Sequence, residues 1–305
     1  MKRYLDPKND LVFRRIFGEH PNLMRAFLNA VLPLEPDERI VSLEYLPPEQ
    51  VPVIPVLKRS IVDVKCRDER GREFLVEMQM QWTTAFMQRV LFNASCAYVR
   101  QLSRGENYHL LQPVIGLSLL NDVFDDTSDR FLHHYRLVNV EDTQRKIDGL
   151  QLVFVELPKF HATGTGEARE IWLRFLRETG EKESAPEDLK GTSPEMDEAL
   201  ELAELAAYSR GDLYAYDRYW DAISTEKTLL WGQTKDAEEK GLKAGMQQGL
   251  EQGLEQGLEQ GLEQGLEQGL EQGLQQGIQQ GMLAALERLT KSGIPESEAR
   301  KMLGL

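Results

Sequence analysis

Residues 60–81, Ser-Ile-Val-Asp-Val-Lys-Cys-Arg-Asp-Glu-Arg-Gly-Arg-Glu-Phe-Leu-Val-Glu-Met-Gln-Met-Gln, gather the groups of this chain best placed to do chemistry. Two runs, 60–66 and 73–81, flank a charged turn at Gly71, which is the pattern of a hairpin. Strand side chains alternate between faces. Val62, Val64 and Cys66 therefore share one face, and Ile61, Asp63 and Lys65 the other. In the second run Phe74, Val76, Met78 and Met80 share a face, and Leu75, Glu77, Gln79 and Gln81 point away from it. A turn centred near Arg70 or Gly71 sets Asp63 beside Glu77. Opposed strand residues have Cβ atoms about 5 Å apart, and like charges there destabilise a sheet. A divalent cation between the two carboxylates removes that cost. Mg²⁺ is a hard ion held by one or two carboxylates together with water and phosphate oxygens. It activates water and stabilises charge that develops on a phosphodiester. A solvent-facing hairpin with ordinary charges is the plainer alternative, and spacing alone leaves both open.

The elements that must position this hairpin follow from apolar spacing. Phe13, Ile16 and Phe17, then Met24, Phe27, Leu28 and Val31, fall at helical steps, so residues 9–32 read as helix. Gly18 to Asn22, with Pro21, divide it in two. Asp10 reads as the N-cap of the first helix. Residues 40–46 read as a strand, and Pro47, Pro48, Pro52 and Pro55 make the next stretch extended and irregular. Residues 84–103 read as a helix with Phe86, Val90, Leu91, Ala94, Ala97, Tyr98 and Leu102 inward. Residues 112–121 carry the apolar run of a buried strand, and 132–139 and 150–157 read as further strands. From about 167 onward the chain reads as helix, in which Tyr214, Tyr216, Tyr219 and Trp220 form an aromatic core. This order predicts a mixed α/β sheet domain over 1–160 and a helical region over 161–235. His133 and His134 are adjacent in a strand and face opposite ways, so they cannot share one metal. No HxxxH, CxxC, P-loop or GxSxG pattern occurs.

Residues 236–281 hold a low-complexity tail in which glycine recurs every four residues from Gly241 to Gly281, with the unit Gly-Leu-Glu-Gln. Four residues turn a helix about 400°, so the leucine stripe drifts about 40° per unit and winds around the axis. Each glycine opposes a free-standing helix by about 1 kcal/mol. Two readings stay open: a flexible spacer, or a long helix stabilised by close packing on a copy of itself. Glu and Gln fill half of each unit, so the GxxxG spacing is not a membrane motif here. Residues 282–305 form a helical cap too short to hold a core alone, expected to dock on a partner or a second copy.

Composition bounds the rest. Hydrophobic residues make up 41% of the chain, which excludes wholesale disorder. Two cysteines, Cys66 and Cys96, exclude a disulfide scaffold. The start has no apolar signal segment and no run approaches a membrane span, so a cytoplasmic protein is expected. Residues 1–160 carry 21 Lys and Arg against 22 Asp and Glu, whereas 161–305 carry 15 against 28. The net charge of −14 thus belongs to the second half and argues against broad nucleic-acid coating. A local basic groove in the first half stays open, with Arg14, Arg15, Lys58, Arg59, Lys65, Arg67, Arg70, Arg72, Arg89, Arg100 and Arg104 as candidates.

Asp63, followed fourteen residues later by Glu77-Met78-Gln79, resembles the Asp…(Asp/Glu)-x-Lys signature of the PD-(D/E)XK nuclease superfamily. More narrowly, Asp10-Leu-Val-Phe-Arg-Arg-Ile-Phe17 with Phe27-Leu-Asn29 is similar to the Rpn family of recombination-promoting nucleases and transposases. Tyr98-Val-Arg-Gln-Leu102, Gly105-Glu106, Tyr108 and Leu111-Gln-Pro-Val-Ile115 fit the same family, as does a Gly-rich helical tail. The resemblance implies a restriction-endonuclease-like mixed sheet flanked by helices, and a metal-dependent DNA endonuclease. It implies Asp63 and Glu77 as ligands of Mg²⁺, or of Ca²⁺ or Mn²⁺, with the Met78 carbonyl facing the ion. Gln79 stands where the superfamily places its lysine, the form this family usually shows. A glutamine cannot act as a base, though it can orient water or a phosphate oxygen. Lys65 is a supporting candidate for the scissile phosphate, and Asp10 for a further acidic ligand. The competing expectation is a catalytically weak nuclease fold that binds DNA or protein and forms a homo-oligomer through its repeat and cap.

Overall fold

The computed structural model describes residues 4–47, 49–50, 60–180 and 187–305; Pro48, Pro52, Pro55, Lys58 and Arg59 lie outside them. The chain divides into two units, Met1–Thr228 and Leu229–Leu305.

The first unit is built on a six-stranded mixed sheet. Its strands are β1 (Leu43–Leu46), β4 (Val64–Asp68), β5 (Glu73–Gln79), β6 (Val114–Leu120), β7 (Leu132–Val138) and β8 (Lys146–Glu156), in the order β1-β4-β5-β6-β8-β7. A separate two-stranded pair joins β2 (Glu49–Gln50) to β3 (Ser60–Ile61). β1, β4 and β5 pair antiparallel, β5, β6 and β8 run parallel, and β7 closes the edge antiparallel to β8. Central β6, Val-Ile-Gly-Leu-Ser-Leu-Leu, is buried along its whole length. A strand covered on both faces has no reason to alternate with polar residues.

One face of the sheet is covered by α1 (Asp10–Phe13), a π-helical turn (Arg14–Gly18), α2 (Pro21–Val31), α4 (Ala168–Glu178), α5 (Pro194–Ala203) and the first turns of α6 (Arg210–Lys291). The expected helix over 9–32 is therefore two helices with the break at Gly18–His20, where Pro21 starts α2 at its first turn. Phe17 is the hub, with ring centroids 4.9 Å from Phe13, 4.7 Å from Phe27 and 5.7 Å from Trp172. The helical region after residue 160 joins this same core through Trp172, Leu173, Leu176, Leu200 and Tyr216. The expected aromatic cluster is split: Tyr216 is buried and Tyr219 and Trp220 pack on the core, but Tyr214 is exposed.

The other face is covered by α3 (Phe86–Val99). Phe86, Val90, Ala94 and Ala97 are buried against Leu75, Val114, Leu120 and Phe154. Leu91, expected inward, is 47% exposed, because its helical angle carries it past the packed stripe.

The second unit holds the rest of α6 and α7 (Glu296–Leu303). The repeat lies within α6. Its leucines stand exposed, from 60% at Leu262 to 75% at Leu250. Gly293, at φ +87°, makes the turn between α6 and α7. No helix among the described residues is long and apolar enough to cross a membrane.

Candidate active site

The site is assembled by the register of β4 on β5. Val64 pairs with Val76, Lys65 with Leu75, Cys66 with Phe74 and Arg67 with Glu73. One step further, Asp63 stands beyond the end of β4 at the level of Glu77. The alternation expected through Val62 breaks here. Residues 62–63 leave strand geometry, and Val62 packs against α3 with Leu75 and Ala94 rather than with Val64. The bend turns the Asp63 carboxylate onto β5, where Oδ2 accepts the Met78 N–H at 2.7 Å. The carboxylate thus caps the β5 edge where β4 stops pairing, and the Arg14 guanidinium lies 3.8 Å from Oδ1.

Glu77 is held from the other face. Asn93 of α3 donates to its Oε1 at 2.8 Å, and Arg89 Nη2 lies 3.8 Å from Oε2. Gln79 donates from Nε2 to the Gln81 carbonyl and accepts from Arg89 Nη2, both at 2.7 Å. Gln81 in turn donates to the Ile223 carbonyl on α6 at 3.1 Å. α3 suits this task because its i,i+4 pair Arg89 and Asn93 spans about 6 Å, close to the rise between Glu77 and Gln79 on the strand.

Burial pushes the Asp63 carboxyl up to about 6. The Met78 N–H opposes that shift, the charges of Asp10 and Glu77 add to it, and Arg14 opposes it. Burial also pushes Glu77 up, against the Asn93 hydrogen bond and Arg89. Burial raises the Tyr219 phenol, and Asp10 and Asp63 raise it further, so this α6 side chain belongs to the surroundings of the site.

Of the residues singled out in the sequence, Asp63, Glu77 and Gln79 come together at the end of β5. Asp10 stands near Asp63, and its carboxylate accepts from Arg14 Nε at 2.8 Å. It is not the N-cap of α1: Asn9 holds that position and accepts the Leu11 N–H. Lys65 is not brought to the acid pair, because its ammonium lies 2.9 Å from buried Glu73, which Arg67 also clamps at 2.7 Å. His133 and His134 take separate partners, Glu156 and Gln151. Asn93 was not legible as a site residue, and Arg89 only as one basic candidate among many. The signal was a polar i,i+4 pair on a mainly apolar helix.

Residues 7–230 match the family model described as PD-(D/E)XK nuclease family transposase, and the chain belongs to that family. No curated protein and no solved structure matches the chain. Family membership points to nuclease or transposase chemistry in general and to DNA as substrate.

Nucleases of this superfamily typically use divalent cations, and the donor set fits one. Two carboxylates, each with one oxygen fixed by a neutral N–H donor, leave the other oxygen without a close hydrogen-bond donor among the described residues. Among the described residues no group of three His, Cys, Asp or Glu forms a cage. A site with two protein carboxylates, completed by water and phosphate oxygens, is the usual arrangement for Mg²⁺.

Proposed function

We propose that the chain is a Mg²⁺-dependent DNA endonuclease that hydrolyses phosphodiester bonds, with Asp63 and Glu77 as the metal-holding carboxylates. The observation that carries this reading is the Asp63 carboxylate bent onto β5 beside Glu77, both desolvated and both raised toward the protonated form. Burial works against the charged form of both acids, and a cation between them would favour it. When bound, the ion polarises a phosphoryl oxygen and makes a nucleophile available at neutral pH.

The side chains have distinct parts. Asn93 fixes the Glu77 carboxylate, and the Met78 N–H fixes that of Asp63. Gln79 takes no proton, since its amide is committed to Gln81 and Arg89. Arg14, half exposed beside Asp63 and Asp10, offers a cation to the approaching backbone. The exposed leucines of the repeat support self-association of the chain through α6, because a stripe of that length has no partner within its own unit.

A second reading has one observation behind it. Gln79 leaves no side-chain base at its position, which suits a fold retained to bind DNA or protein. Closed circular plasmid separates the two. The endonuclease opens it with Mg²⁺ and not with EDTA, and Glu77→Gln does not open it. Wild type that binds the plasmid but leaves it closed with Mg²⁺, Mn²⁺ or Ca²⁺ supports the binding module.

A further inference from the structure

The guanidinium of Arg89 is placed as a working group rather than a surface charge. It projects from α3 toward the end of β5, with Nη2 2.7 Å from Gln79 Oε1 and 3.8 Å from Glu77 Oε2. The first distance is a hydrogen bond and the second is not. Its carbon lies 4.8 Å from the centroid of the Phe86 ring, so an aromatic face supports the plane from below. The side chain is nevertheless 52% exposed. An arginine has five N–H donors in a fixed fork; the hydrogen bond to Gln79 takes one, and the half-exposed head keeps donors for a ligand beside the acid pair. Lys65, the hairpin cation considered for this task, is spent on Glu73.

The geometry points to Arg89 as the residue that grips the scissile phosphate, with Gln79 as the positioning residue that aims its guanidinium. This rests on the endonuclease reading above. Anything seated on the outer oxygen of Glu77 meets the fork, which matches two phosphate oxygens at once. In the hydrolysis a water oxygen bonds to phosphorus and the bond from phosphorus to one sugar oxygen breaks. The water proton ends on that leaving oxygen. Negative charge spread over the phosphoryl oxygens during the step is what a fixed cation stabilises. Arg89 takes no part in the proton transfer, because a guanidinium does not deprotonate in a protein. The Gln79 amide acts through Arg89. Its Nε2 is tied to the Gln81 carbonyl, so the amide cannot rotate and its oxygen stays on the guanidinium.

The full-length protein, wild type and Arg89→Ala, Arg89→Lys and Arg89→Ala/Gln79→Lys, tests this in two assays. The first is plasmid cleavage with Mg²⁺. The second is binding of a short fluorescein-labelled duplex in Ca²⁺ as a function of salt. Melting curves confirm that each variant folds as wild type does. Arg89→Ala should lose about 10²-fold in kcat, with KM raised as well by the lost ground-state contact. Its salt slope for duplex binding should fall by about 1. Arg89→Lys should keep the slope and recover part of kcat, since the charge remains and the fork is lost. Gln79→Lys in the Arg89→Ala background should recover cleavage at least tenfold over Arg89→Ala alone, about 1.4 kcal/mol. Wild-type cleavage with Arg89→Ala equally active overturns the Arg89 assignment and leaves the endonuclease reading intact. If wild type does not cleave, that reading falls, and the salt slope alone judges the phosphate grip: a fall of about 1 upholds it, an unchanged slope overturns it.

Discussion

In β5 a period of two meets partners on both sides: Phe74, Val76 and Met78 enter the core beneath α1 and α2, while Leu75 and Glu77 meet α3. In the repeat of α6 a period of four meets none. Leu258 is 67% exposed, and a Cβ built on Gly257 or Gly261 has nothing within 4 Å. Both segments are strictly patterned, and only the first is locked by what surrounds it. The lesson is that a pattern specifies a surface, and a second surface of matching period must exist before the pattern becomes structure. The hairpin has that second surface within the chain. The repeat, on the self-association proposed above, finds it in another copy.

Aromatic truncation breaks this comparison most strongly. Phe17→Ala removes the hub of the Phe13, Phe27 and Trp172 cluster and should destabilise the first unit by about 3–5 kcal/mol. Leu258→Ala should leave the melting of that unit unchanged, within about 0.5 kcal/mol. Paired denaturant titrations check both.

Glycine substitution sharpens it. A Cβ at Gly180, where φ is +90°, would stand 2.5 Å from Asp6 Cα. Gly180→Ala should therefore cost about 3 kcal/mol or more, through backbone strain and overpacking together. Gly257→Ala meets no clash and contributes about 1 kcal/mol of helix propensity to an isolated helix. If the glycine seam packs on a second copy, the same change weakens association, and light scattering should show the mass moving toward the monomer. Unchanged mass with a higher helical melting point would make the repeat a spacer instead.

A further effect is on pH. The Asp63 carboxyl is raised in the folded chain from 3.8 to about 6. A raised acid favours the fold below 3.8, and that contribution is lost as pH rises through 6. Asp63→Asn keeps an oxygen acceptor for the Met78 N–H and does not ionise. It should match wild type at pH 4 and exceed it at pH 8 by up to about 3 kcal/mol without divalent ions. Saturating Ca²⁺ at pH 8 should stabilise wild type and close that gap. Melting curves at the two pH values, with and without Ca²⁺, report it.

The parts of the fold that were legible are those set by local period. The order of helices and strands follows from apolar spacing, and the pairing of Val64 with Val76 follows from the turn at Gly71. Asp63 and Glu77 were legible for the same reason. The bend at Val62 was not, because alternation assumes the strand continues, and the Met78 N–H that captures Asp63 is a backbone group without a sequence signature. The supporting pair Arg89 and Asn93 depends on how α3 docks across β5 and β6, which is a long-range matter. Lys65 shared a face with Asp63 in sequence, yet buried Glu73 has first claim on its charge. A buried carboxylate without a cation costs more than an exposed lysine gains from solvent.

The most direct measurement of the central claim compares wild type with Asp63→Ala on supercoiled plasmid, in Mg²⁺, in Ca²⁺ and in EDTA. The account predicts that wild type cuts in Mg²⁺ and not in EDTA, and that Asp63→Ala, folded and still bound to DNA, does not cut. Equal cutting by the two proteins, or cutting by wild type in EDTA, would contradict it.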